Sequence, residues 1–200
     1  MPGVHLPAAP PLILASTSPY RRELLARLRL PFAVQAPKVA EPPRAGEPPV
    51  QRATRLAQEK AEAVARQHPA AAVIGSDQVA VCGDEVLDKP GDAARAADQL
   101  RRLSGAEACF HTAVAVICEE RGFRASFVDL TRVRFRSLSD EEIARYVQLD
   151  QPLDCAAAFR SESLGSALLT QVISDDPTGL VGLPLIRLAA SLRALGFQIP

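Results

Sequence analysis

Asp77 lies in the middle of an apolar run, "VIGSDQVAV" (residues 73–81). A carboxylate buried there is costly unless it is paired, protonated or bound to a cation, so it needs a partner. Lys89 is one candidate, beyond the turn signal Gly83-Asp84. A three-residue loop sets Lys89 diagonally across from Asp77 on one face, whereas a two-residue loop sets it on the opposite face. Pro90, with no N–H to donate, ends that strand. Lys60 is the other candidate, four residues from both Leu56 and Val64 on an apolar helical stripe. It either snorkels outward or points inward beside Asp77. An acid among lysines is either a structural ion pair or a working site. A second cluster, "STSPYRR" (residues 16–22), joins a hydroxyl-rich loop to a helix start, with Ser18 as N-cap and Pro19 in the first position. Arg21 and Arg22 oppose the helix dipole unless an anion neutralises them, so the junction is either a simple cap or an anion site.

The elements that carry these residues follow from pattern. Val73, Ile74, Val79 and Val81 mark a buried strand, and Leu12–Ala15 a second. Leu24, Leu25 and Leu28 give the helix after Pro19 its apolar face. Five prolines in residues 36–50 predict an extended loop holding Glu41. A helix over 52–68 follows, ended by Pro69, with Ala53, Leu56, Ala57, Ala61 and Val64 inward. Asp92 caps a helix packing Ala96, Leu100 and Leu103, closed by Gly105. Residues 109–120 and 123–138 are strands joined at Arg121-Gly122, the second alternating Val133 and Phe135 against Arg132, Arg134 and Arg136. Ser139 with Glu142 forms a capping box, stapled by Leu138 on Ile143. A strand-and-loop region with Arg160 and Glu162 leads to a last helix over 183–195. Residues 1–11, rich in Pro and Ala, are expected to be a flexible extension.

Composition narrows the classes. The 200 residues, 48% hydrophobic, suit one domain. Lys+Arg and Asp+Glu both number 23, so no global field favours nucleic acid or a membrane surface. No stretch is long and apolar enough to span a membrane, and no secretory signal is evident. The four cysteines form no CxxC and the three histidines lie far apart, which disfavours zinc and predicts buried free thiols in a reducing cytoplasm. Neither GxGxxG nor GxxxxGK[ST] is present, so a phosphate site must be built another way.

Taken together, "LILASTSPYRRELL", "LAQEKA", "GSDQVAV", "DKP", "FRSLSDEEIARYV", "DCAAAFRSESLG" and "LVGLPL", in this order from Leu12 to Leu195, resemble the Maf family of nucleoside triphosphate pyrophosphatases. The resemblance implies an α/β fold with a mixed, elongated sheet flanked by helices and a cleft between two lobes. It places Ser16, Arg21, Glu41, Lys60, Asp77 and Lys89 at active-site positions. Arg21, Lys60 and Lys89 would supply positive charge and Asp77 a general base, with Glu41 and Asp77 as ligands for Mg²⁺ or Mn²⁺. Tyr20, Gln78 and Glu162 look like the YceF branch, associated with 7-methyl-GTP, rather than the dTTP and UTP branch. Gln78 and Glu162 would then hydrogen-bond a purine edge, and Tyr20 would stack on a cationic base. The family is also linked to cell-division arrest, so one alternative is a nucleotide-binding regulator and another is the same chemistry on a different nucleotide such as dTTP or UTP; a homodimer is implied. Ala40, Asp88, Ala113, Ala157 and Ser163 depart from the family pattern, four of them adding a side chain where Gly is usual. Each added side chain narrows a backbone that approaches the ligand, so these departures bear on the shape of the base pocket more than on the phosphate chemistry.

Overall fold

The computed structural model describes residues 8–200, so most of the predicted N-terminal extension, residues 1–7, lies outside it. Residues 8–11 are tied down: Ala72 N–H donates to Pro11 O (2.8 Å), and the Arg121 guanidinium donates to Ala8 O.

One seven-stranded mixed sheet organises the chain, in the order β2-β1-β3-β5-β6-β7 with β4 paired to β3. The first half is β1 (Leu12–Ala15), α1 (Pro19–Ala26), β2 (Ala33–Val34), α2 (Pro49–Ala65) and β3 (Ala72–Cys82). Here β1 pairs in parallel with both β2 and β3, which requires the helical crossovers α1 and α2. The second half is antiparallel: β4 (Glu85–Val86), α3 (Ala93–Leu103), β5 (Glu107–Cys118), β6 (Phe123–Phe135), α4 (Asp140–Asp150), β7 (Leu169–Ile173) and α5 (Leu185–Ala194). Gly122, at φ 58°, makes the left-handed turn between β5 and β6.

Strand alternation sorts the core into three clusters. Ile13, Val73, Ala113 and Ala115 lie under the alanine-rich stripe of α2. The opposite face buries Leu14, Ile74 and Val116 against α1 and α5 at one end. At the other end the same face buries Phe110, Val133 and Phe135 against α3, α4 and Phe159. These two clusters make the two lobes. Between them the face turns polar at Ser76, Gln78, Thr112 and Asp129. The segment 174–183 covers this waist with backbone carbonyls: Ser76 donates to Gly182 O, and Thr112 to Gly179 O, both at 2.9 Å.

Several sequence expectations change in detail. The hairpin turn is the two-residue form, Val81 opposing Val86 and Cys82 opposing Glu85. The strand ends at Val86 rather than at Pro90, because Leu87 makes the last bond to β3 (N–H to Ala80 O, 2.8 Å) before the chain turns away. The helix predicted over 52–68 begins at Pro49, inside the expected loop, with Pro at its first position. Its last turn closes at Ala65, short of Pro69. The last helix starts at Leu185 instead of Leu183, since Pro184 supplies its N-cap. All four thiols are free, but only Cys118 is buried; Cys82, Cys109 and Cys155 are half-buried.

Candidate active site

Gly75 sets the depth at which α2 rests on the sheet. A Cβ there would stand 2.2 Å from Ala57 O and 2.6 Å from Ala61 N, so only hydrogen lets the helix backbone come so close. Two residues along the same face, Asp77 meets Lys60, which the stripe of α2 points inward. The Lys60 ammonium lies 2.6 Å from Asp77 Oδ1 and 2.9 Å from Glu41 Oε2. Both side chains of the Lys60–Asp77 pair are about nine-tenths buried, while that of Glu41 is about half exposed. Glu41 owes its place to a clamp on its loop, in which Arg55 forks onto both carboxylate oxygens of Glu47 (2.6 and 2.7 Å) and reaches Glu59.

Around this ion triad opens a cleft of about 510 Å³. From β1 and α1 come Ser16, Ser18, Tyr20 and Arg21. Ser18 caps α1 as expected, accepting from Arg21 N–H, and Ser16 Oγ accepts from Ser18 N–H at 3.1 Å. Arg21 Nε is anchored on Gly182 O at 3.0 Å. Burial lowers the Arg21 pKa while Asp77 and Glu41 raise it, which places its charge close to both acids. Lys89 also lines the cleft, but strand pairing does not bring it there. Carried past Val86, the ladder would set residue 89 opposite Gln78, on the face away from Asp77. Lys89 arrives on the loop after Leu87 instead, a loop fastened by Ala157 N–H to Leu87 O and Gly91 N–H to Leu153 O.

Gln78 and Glu162 line the same cleft, so all nine residues to which the family resemblance gives a role face one cavity, whereas Arg22 is exposed outside it. Gln78 is partly committed, its amide donating to Thr112 Oγ1 (2.8 Å), Leu180 O (2.9 Å) and Gly179 O (3.2 Å). What remains for a ligand is its acceptor oxygen. Tyr20 already carries a cation, since Arg160 stands 5.4 Å above its ring centroid. Burial first, then Cys155 and Asp154, push the Tyr20 hydroxyl upward, so it stays protonated.

The sequence reading did not name Arg52, Asp154 or Cys155 as cleft residues, though each lines it. Arg52 could have been found, because residues 52, 56 and 60 repeat every four positions on one helical face. No local signal marks Asp154 or Cys155. Of the five departures from the family pattern only Asp88 reaches the cleft, where it pairs with Arg52. Ala113 and Ala157 are buried in the apolar clusters, Ser163 bonds Asp150, and Ala40 is exposed outside the cleft. Ala113, Ala157 and Ser163 thus do not line the cleft directly. Ala157 bears its cost in the backbone, at φ 61°.

Four cations (Arg21, Arg52, Lys60, Lys89) and five carboxylates (Glu41, Asp77, Asp88, Asp154, Glu162) surround the cleft. Among the described residues no group of three or more His, Cys, Asp or Glu side chains is placed to hold a metal. A mixed two-lobed sheet with hydroxyls, a helix N-terminus and cations around one buried acid defines a site for phosphorylated ligands.

The chain belongs to the Maf-like protein family, whose model matches residues 11–195. It is 54% identical over 188 residues to the 7-methyl-GTP pyrophosphatase of Albidiferax ferrireducens, covering 94% of each chain. It is 55% identical over 190 residues to the enzyme of the same name from Aromatoleum aromaticum, covering 94% of this chain and 97% of that one. A third relative of that name, from Polaromonas sp., is 54% identical over 193 residues, which is 96% of this chain and 88% of the relative.

Proposed function

We propose that this chain is a nucleoside triphosphate pyrophosphatase, a hydrolase that splits the α–β anhydride of 7-methyl-GTP into 7-methyl-GMP and pyrophosphate. The observation that carries the chemistry is the Lys60 ammonium held between Asp77 and Glu41 in a cleft that also collects Arg21, Lys89 and Ser16. The names of its relatives support the substrate. The triphosphate lies against the N-terminus of α1 and the cations of the cleft, which neutralise charge as the anhydride opens. Asp77 takes a proton from water as that water's oxygen bonds to phosphorus; the bridging P–O bond breaks, and pyrophosphate leaves against the lysines.

Glu41 and Asp77 are two oxygen donors converging on one cationic point, which fits Mg²⁺ or Mn²⁺ bound through two carboxylates and the substrate's own phosphates. When bound, such an ion offsets charge that four cations against five carboxylates leave uncompensated. At the base end, Glu162 and the free oxygen of Gln78 accept from a purine edge. The Tyr20 ring, which lines the cleft, suits a methylated base bearing positive charge. Among the described residues no helix is long and apolar enough to cross a membrane. A cytoplasmic homodimer completes the reading, supported by the four free thiols and by the edge strand β7 with its half-exposed Val172 and Ile173.

A panel of 7-methyl-GTP, GTP, dTTP and UTP, assayed for pyrophosphate release with and without Mg²⁺, tests this. We expect 7-methyl-GTP to be preferred at least tenfold in kcat/KM, as one well-placed polar or cation–π contact allows. Equal rates across the panel, or release of inorganic phosphate in place of pyrophosphate, would exclude it.

A further inference from the structure

We propose that Arg52 is a further substrate-binding residue, gripping the terminal phosphate of the triphosphate, and that Asp88 holds its guanidinium ready in the free enzyme. The inference rests on the triphosphate reading and adds to it the means by which tri- and diphosphates are told apart.

Arg52, Leu56 and Lys60 form one stripe of α2, and all three line the cleft. Eight residues separate Arg52 from Lys60, about 12 Å along the helix axis. Arg52 therefore stands at the far side of the cleft from the triad, beside the loop that carries Lys89. Its Nη2 lies 2.9 Å from Asp88 Oδ1, yet the pair is lopsided: the Arg52 side chain is 14% exposed and that of Asp88 66%. The acid keeps most of its hydration, while the cation is sunk in the wall. Arg52 Nε is buried with no hydrogen-bond partner. A buried donor left unpaired is costly and rare, and an acceptor delivered by a ligand relieves it.

The Asp88 backbone is held independently, by Gln99 Nε2 donating to Asp88 O at 2.9 Å from α3. Its carboxylate is thus not needed to fix the loop, and what it does hold is Arg52. The planar guanidinium offers a fork of donors that matches phosphate oxygens, and a dianionic terminal phosphate outcompetes one solvated carboxylate for it. Lys60 and Lys89 then keep the phosphates nearer the cleaved bond, and Arg52 reads whether a third phosphate is present.

The test compares 7-methyl-GTP with 7-methyl-GDP on the parent, Arg52→Ala, Arg52→Lys and Asp88→Ala, each checked by thermal melt. In Arg52→Ala we expect kcat/KM for the triphosphate to fall roughly tenfold to a hundredfold, mainly through KM, the loss typical of a charge-assisted bond. The diphosphate should change less than about threefold, and Arg52→Lys should fall between parent and Ala. Asp88→Ala should lower the KM for the triphosphate in the parent but not in Arg52→Ala, a coupling that plain removal of negative charge does not give. Equal losses on both nucleotides, or none, would overturn the role of Arg52. Equal gains from Asp88→Ala in both backgrounds would overturn the ready state. A parent inactive on both nucleotides would instead count against the function proposed above.

Discussion

Lys60 is the residue on which the others converge. Its ammonium compensates a buried carboxylate and draws a second from a loop seventeen or more positions away, so its removal acts on stability and chemistry together. Lys60→Met keeps the stem but leaves Asp77 buried without a counterion; we expect a loss of about 3 kcal/mol in denaturant unfolding and no measurable turnover. A stable, active Lys60→Met would mean that Asp77 finds another partner. The pairing was half legible in the sequence. An acid in an apolar strand and a lysine on an apolar stripe each announce an inward partner, but neither says whom it meets. Glu41 was less legible, because a carboxylate in a proline-rich loop looks solvated until the Arg55–Glu47 clamp fixes that loop. Tyr20 lines the cleft, but the Arg160 cation over its ring comes from a segment about 140 residues later and left no local trace.

At the scale of elements, the contact between α2 and β3 decides whether the triad exists. Its tolerance is set at Gly75, where any Cβ would collide with backbone atoms of α2 rather than with a movable side-chain tip. Gly75→Ala should therefore cost at least about 2 kcal/mol in unfolding free energy. Because the helix must lift, kcat should fall by more than tenfold in whatever fraction remains folded. Wild-type stability in Gly75→Ala would show that the helix has room to move. Three of the five helix starts were readable because Ser18, Asp92 and Ser139 all cap where expected, the last in a full capping box, whereas α2 and α5, which have no side-chain cap, start away from the expected residues. The hairpin after β3 was not, since a Gly-Asp signal fits two loop lengths and only tertiary fastening fixes where Lys89 goes.

The whole molecule is two lobes sharing three long strands, sealed at the waist by the segment 174–183. Asp129 is buried there beside Gly179, where a Cβ would stand 2.1 Å from its carboxylate oxygen. Burial first, then the nearby Asp176, raises its pKa above the usual 3.8. The folded state thus holds this proton more tightly than the unfolded chain, so stability from this group is full below about pH 4 and is lost as pH rises through the folded pKa. Asp129→Asn should melt higher than the parent at neutral pH, with the difference shrinking as pH falls toward 4. An unchanged difference across that range would mean that Asp129 does not titrate as its burial implies. The alternation of β5 and β6 let the sheet be read from sequence, but the waist was not readable. Its polar residues recur at the strand period, like an ordinary solvated face, and only the returning segment buries them.

Pyrophosphate release from 7-methyl-GTP by Asp77→Asn, beside the parent at matched folded fraction and saturating Mg²⁺, addresses the central claim most directly. If Asp77 acts as the base proposed above, replacing its carboxylate while keeping the shape of the side chain should lower kcat by about a hundredfold to ten-thousandfold. Turnover equal to the parent would contradict Asp77 as the catalytic acid–base group and favour a cleft that binds nucleotide without needing it.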